Sequence, residues 1–160
     1  MRSHELTTGR TIGVTFSHGE DFMSSLADAC RAHRIRQGYI PMFIAGFADA
    51  QIVGACDKLD DPKAPVWSAV HLTNAEALGG GTLAYDPDQE TVRPHIHVTA
   101  GRKEQAAIGS TSHLLSATVQ FLTEMIIIEV TAPEMQRIPD PDLYDVPLLR
   151  FGDRDPGQPA

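Results

Sequence analysis

The run ATVQFLTEMIIIEV, residues 117–130, limits the fold more than any other part of the chain. It is rich in β-branched and aromatic residues, contains no Gly or Pro, and reads as the central strand of a sheet. One residue sits oddly in it. Counting by twos from Glu124 leads to Ile126 and Ile128, so a carboxylate shares an apolar face. A buried carboxylate without a partner is costly. Glu124 therefore either faces solvent or turns toward a metal, as ligand, anchor or proton shuttle.

The other elements fit around such a strand. In GRTIGVTFSHG, Ile12, Val14 and Phe16 alternate with Thr11, Gly13 and Thr15, the period of a half-buried strand. Ser17 with Glu20 three residues later resembles a capping box. Phe22, Met23, Leu26, Ala29, Cys30 and His33 then recur at helical spacing, which predicts one main helix over about 20–34 with Gly38 as the breaker beyond it. GYIPMFIAGFADAQIVGAC reads as two short strands with a tight connection near Ala48 and Asp49. DKLDDPKAP is a polar loop, and VWSAVHLT, EALGGGTLAYD and HIHVTA are further strands, the last two joined by the turn DPDQE. One helix among about seven strands with hairpin-length loops predicts a compact α+β domain with a mostly antiparallel sheet.

From residue 131 onward the texture changes. Six of the eleven prolines fall there, with Asp140, Asp142, Asp145, Asp153 and Asp155. We expect a domain over 1–130 and a Pro/Asp-rich C-terminal arm over 131–160, not a packed element. Its apolar residues Leu143, Tyr144, Val146, Leu148, Leu149 and Phe151 need the body of the chain or a neighbouring subunit to dock on.

Length and charge narrow the function. At 160 residues the chain is one domain with room for a real core. No apolar run approaches the roughly 18–20 residues of a membrane span, and the N-terminus has no apolar segment of the secretory kind. Two cysteines, Cys30 and Cys56, read as small buried hydrophobes in a reducing, cytoplasmic setting. A net charge of −8 opposes a polyanion, so nucleic acid is the less favoured partner, although Arg93, Arg102 and Lys103 form a local basic group.

Three histidines lie in the nineteen residues HIHVTAGRKEQAAIGSTSH. On a strand, His95 and His97 project from one face while Ile96 and Val98 take the other. Two imidazoles so placed are either ordinary residues of a strand that faces solvent or an interface, or half of a zinc site, to which His113, after the turn, can supply the third ligand. Three protein ligands with an open position is the arrangement of catalytic zinc. His4, His18, His33 and His71 read as ordinary structural residues. Nucleophilic catalysis has little support: GSTSH lacks a nucleophile elbow, and neither cysteine has an activating context. GGGT (Gly79–Thr82) lacks the Gly-Lys-Ser/Thr ending of a phosphate loop and points instead to a bulge or close packing.

HGEDFMSSLADACRAHRIRQGYI, GGGTLAYD, HIHV and SHLLSATVQFLTEMIII, in this order, resemble the PPC (also PCC, or DUF296) domain family over roughly Gly9 to Val130. The resemblance implies a compact α+β fold and a homotrimer. It also implies a metal, zinc in the first instance or another divalent ion, on His95, His97 and His113. Glu124 takes the place of the family's later glutamate. Glu76, Gly81 and Thr82 match its Glu-x-x-x-x-Gly-Thr stretch. The AT-hook segments of the plant relatives are missing here, while the histidines they lose are kept. Thr111 and Ser112 stand where the family has two glycines before the third histidine.

Two functions follow as expectations. In the first, the chain is a metal-dependent enzyme acting on a small anionic molecule by hydrolysis or a lyase-type step. His95, His97 and His113 then hold Zn²⁺, Glu124 is the general acid/base with Glu76 as substitute, and Arg93 or Arg102 holds a substrate carboxylate. In the second, it is a non-catalytic trimeric module that binds a ligand, a protein or DNA.

Overall fold

The structure, a computed structural model, describes residues 3–54, 69–86, 89–105 and 108–152. Cys56, the loop 57–65, the first part of VWSAVHLT, Pro87 and Asp88 of the turn, and Asp153 and Asp155 lie outside the described residues. The elements in chain order are β1 (Thr7–Ser17), α1 (Phe22–Ala32), β2 (Gly38–Val53), β3 (Ala69–Asp86), β4 (Thr91–Arg102), β5 (Gly109–Ala132), β6 (Met135–Asp140) and β7 (Val146–Phe151).

The β-prone run lies within β5, and β5 organises everything else. One edge of it pairs with β2. The other edge pairs first with β4 and then, past its midpoint, with β1. Pairings of β2 with β3 and β3 with β4 close the ring, so the sheet is an antiparallel barrel with β1 extending one rim. Its interior holds Phe43 and Phe47 of β2, Leu83 of β3, Ile96 and Val98 of β4, and Val119 and Ile127 of β5. The α+β expectation with one main helix holds in this form. Helix α1 buries Phe22, Leu26 and Cys30. The Phe22 ring meets Phe16 and Phe47 edge-on at 5.5 and 5.7 Å and Phe43 at 5.1 Å, which seats the helix against the barrel. Arg10 of β1 clasps Glu129 of β5 through two hydrogen bonds of 2.8 and 2.9 Å and also donates to His33 O at the helix end.

Several local expectations are corrected. The helix begins at Phe22 with Asp21 as its cap, accepting from Ser24 N at 2.8 Å. The carboxylate of Glu20 instead accepts from Ser17 N, so the two expected capping residues bond one turn too early. The segment 38–53 is one strand, not two. Ala48 and Asp49 mark a bulge, matched by left-handed Asn74 on β3, where both strands bend together without turning back. Pro41 falls in the register shift between Ile40 and Phe43, where its missing N–H breaks no ladder bond. The stretches around His71 and the triglycine likewise merge into the single strand β3.

The apolar face of β5 that carries Glu124 and Ile126 is the outer one; Met125 and Ile127 face the core. Glu124 is exposed there. The segment after residue 131, expected to hold no packed element, forms the β6–β7 hairpin from Met135↔Phe151 to Asp140↔Val146. A short 3-10 turn at Pro141–Leu143, capped by Asp140, and left-handed Tyr144 and Asp145 close it. The clustered Pro and Asp residues are thus turn chemistry of a hairpin. This hairpin lies against β3, where Ala84 of the outer face is buried.

Candidate metal centre

Strand alternation on β4 points Arg93, His95 and His97 outward and buries Ile96 and Val98. The register then sets their neighbours: Thr82 stands opposite His95, Gly80 opposite His97, and His113 of β5 opposite His97. The triglycine makes this possible by close packing. A Cβ on Gly81 would stand 2.3 Å from His95 O, and one on Gly79 would meet Phe43 Cζ at 2.4 Å and His97 O at 2.5 Å. Only bare backbone lets β3 run this close beside the two histidines.

The three imidazoles converge. His95 Nε2 lies 2.9 Å from His113 Nδ1, and the ring centroids are 4.1–5.0 Å apart. One nitrogen from each ring can be chosen so that all lie within 4.8 Å of one another. Tetrahedral zinc with bonds near 2.05 Å sets its ligand nitrogens about 3.4 Å apart, so small rotations bring this set onto one ion. Among the described residues this is the one group of His, Cys, Asp or Glu side chains that converges in this way. His97 is exposed and His113 half-buried, so the site lies on the outer wall with an open side.

The electrostatics suit a metal. Burial, then the positive charge of Arg137, then the other two rings lower His95 to about 4 from 6.5. Burial and His97 lower His113 as well. Both rings are therefore neutral at neutral pH, which is the form that ligates.

The remaining expected residues are spread out. Arg93 shares the face of His95 and His97 and pairs with Asp86 at 3.2 Å. Arg102, five residues past His97, donates to Gln105 at 3.0 Å. Glu76 stands opposite Gly101, roughly 13 Å along β4 from His97. Glu124 is linked to Thr99 through Ile44 and Leu78, three strand spacings or on the order of 14 Å away. Neither glutamate joins the histidines within one chain. Thr111 and Ser112 lie in β5. Thr111 bonds Thr99 Oγ1 at 2.8 Å, and the Ser112 hydroxyl donates to Val53 O, so both help tie the ring shut beside His113. His18 accepts from Phe121 N and His71 pairs with Asp49, the structural roles expected of them.

Arg137 was missed. It reaches the site from β6, and its Nη2 donates to Thr82 Oγ1 at 2.6 Å. No local pattern marks it: it lies 24 residues past His113, in a stretch whose composition reads as an arm.

The family model for the Plants and Prokaryotes Conserved (PCC) domain matches residues 3–131. No curated protein matches the sequence. Solved structures share the fold at low identity. One is a plant- and prokaryote-conserved protein from Pyrococcus horikoshii, with 19% identity and a TM-score of 0.75 over 92% of this chain and 97% of that one. Another is a metal-containing protein from Archaeoglobus fulgidus, with 18% identity and a TM-score of 0.75 over 92% and 98%. A third is a candidate DNA-binding protein from Bacteroides thetaiotaomicron, with 20% identity and a TM-score of 0.73 over 91% and 97%. At these identities the likeness is one of fold.

Proposed function

The chain belongs to the Plants and Prokaryotes Conserved (PCC) domain family, and from that premise we propose that it is a zinc-dependent enzyme of small anionic molecules, working by hydrolysis or a lyase-type step. The convergence of three imidazoles on an open wall carries this reading. The Archaeoglobus fulgidus protein of the same fold is metal-containing, which supports it. His95, His97 and His113 hold the ion, and the open side admits a ligand. Zinc held there supplies Lewis-acid polarisation of a ligand oxygen. Arg93 shares the face of the histidines, where Asp86 already pairs with it at 3.2 Å.

A general acid/base has to come from elsewhere. Glu124 and Glu76 lie on the same outer wall as an apolar row, Ile44 opposite Leu78, with Ile126 beside it, exposed by 46%, 57% and 37%. An exposed row of this kind fits a subunit interface. In the homotrimer that we propose, packing of these walls brings Glu124 of one copy, or Glu76 in its place, to the histidines of another. We further propose a family domain over 1–130, which agrees with the end of the family match at 131, and a C-terminal arm over 131–160 whose described part is the β6–β7 hairpin on β3. No described helix is long and apolar enough to cross a membrane.

Metal content per chain tests the reading, in tag-free protein and in His95→Ala/His97→Ala. About one equivalent of zinc, lost in the variant, is the expected result. No metal in either protein after zinc is added back would remove the metal from the mechanism.

A second reading, a non-catalytic DNA-binding module, is favoured by one observation. Arg31, Arg34 and Arg36 line a cleft of about 270 Å³ with Tyr85, and Arg36 stacks over the Tyr85 ring at 3.8 Å. The Bacteroides thetaiotaomicron protein also counts against setting nucleic acid aside on net charge alone. Binding of a duplex that weakens steeply with salt would bring this reading forward. Its absence at low salt would end it.

A further inference from the structure

The guanidinium of Arg137 stands beside the histidines without belonging to the ligand set. Its Nη2 donates to Thr82 Oγ1 at 2.6 Å. Thr82 is the cross-strand partner of His95, so the two side chains leave the sheet on one face with Cβ atoms about 5 Å apart. Among the described residues, Nη1 reaches only Pro147 O, at 3.4 Å, and the buried Nε has no hydrogen-bond partner. Other arginines near the hairpin are neutralised: Arg93 by Asp86 at 3.2 Å and Arg150 by Asp140 at 3.3 Å. No carboxylate among the described residues pairs with Arg137. A guanidinium partly withdrawn from water, with a buried donor unused, is costly unless an anion completes it.

We propose that Arg137 anchors the ligand of the three-histidine site, and that this ligand is a small monocarboxylate whose carboxylate lies on the guanidinium while its neighbouring oxygen faces the histidines. The inference rests on the reading of the histidines as a metal cradle. The choice of carboxylate follows from the donors: the planar guanidinium, with no carboxylate of the described residues on it, matches the two oxygens of a carboxylate. The C-terminal hairpin is thereby part of the site.

The test is calorimetric titration of the zinc-loaded protein with glycolate, with its uncharged twin glycolamide and with inorganic phosphate, alongside Arg137→Met and Arg137→Lys. Zinc per chain and thermal midpoint are read on every sample. Glycolate should bind at least tenfold more tightly than glycolamide, and Arg137→Met should lose that tenfold while keeping its zinc. Arg137→Lys should lose a smaller factor. It retains the charge, so it decides the matter if the Met variant does not fold. Equal glycolate affinity in wild type and variants, no glycolate binding by the wild type, or tighter binding of phosphate than of glycolate would each overturn the proposal. Absence of zinc from the wild type would instead sink the metal reading. Glycolate against glycolamide on that zinc-free protein still tests Arg137: a preference lost in Arg137→Met supports the anchor, and indifference refutes it.

Discussion

His95 carries the sharpest consequence at the scale of single residues. Its ring is held to about 4, against 6.5 in an open chain, chiefly by burial and then by Arg137. The unfolded chain therefore takes up the proton first as pH falls. The stability linked to His95 is complete above about pH 6.5 and is lost progressively as pH drops toward 4. Thermal midpoints of the metal-free protein should fall across that window, and the slope should be shallower in His95→Gln. A wild-type midpoint that is level from pH 6.5 to 4 would contradict the burial of a neutral ring. Arg137 contributes to the same balance from a different element, which explains why the pair HIH alone does not reveal how neutral its first ring is.

At the scale of elements, the triglycine of β3 is the feature that holds β4 in place beneath the histidines. Gly81→Ala drives a Cβ against His95 O, where 2.3 Å is available, and against Ile96 Cδ1 at 2.7 Å. The strands have to separate, at about 1–3 kcal/mol for overpacking of this kind. Chemical denaturation should register that loss, and zinc affinity should fall with it, since His95 moves with its carbonyl. Unchanged zinc affinity in a destabilised variant would separate the packing role of Gly81 from the site. The sequence carried this element well: GGGT was legible as close packing, and HIHVTA as a strand with both histidines on one face. It carried the bulges badly. The break in alternation at Ala48 and Asp49 resembles a turn because a strand bend and a hairpin use similar residues. Only the partner strands, with left-handed Asn74 opposite, decide between them.

At the scale of the whole molecule, the outer wall matters as much as the barrel interior. Ile44 and Leu78 pair across β2 and β3 in the open, and Ile126 lies next to them. If this row is the trimer interface, Leu78→Glu should convert the assembly to monomer in sedimentation analysis while leaving the barrel folded. It should also lower turnover, because Glu124 lies about three strands from the histidines of its own chain. A monomeric wild type would leave the acid/base role of Glu124 without a route to the site.

Local pattern was enough for what depends on neighbours in the chain. Alternation put His95 and His97 on one face, helical spacing found α1 to within two residues of each end, and β-propensity identified the core strand. Everything that depends on registry between distant segments waited for the tertiary structure. Closure of the sheet put His113 opposite His97, turned the Glu124 face outward, and laid the C-terminal hairpin on β3 with Arg137 beside Thr82. The physical reason is that a strand's two faces are equivalent until something packs against one of them. Side-chain alternation tells which residues travel together; burial alone decides which way they point.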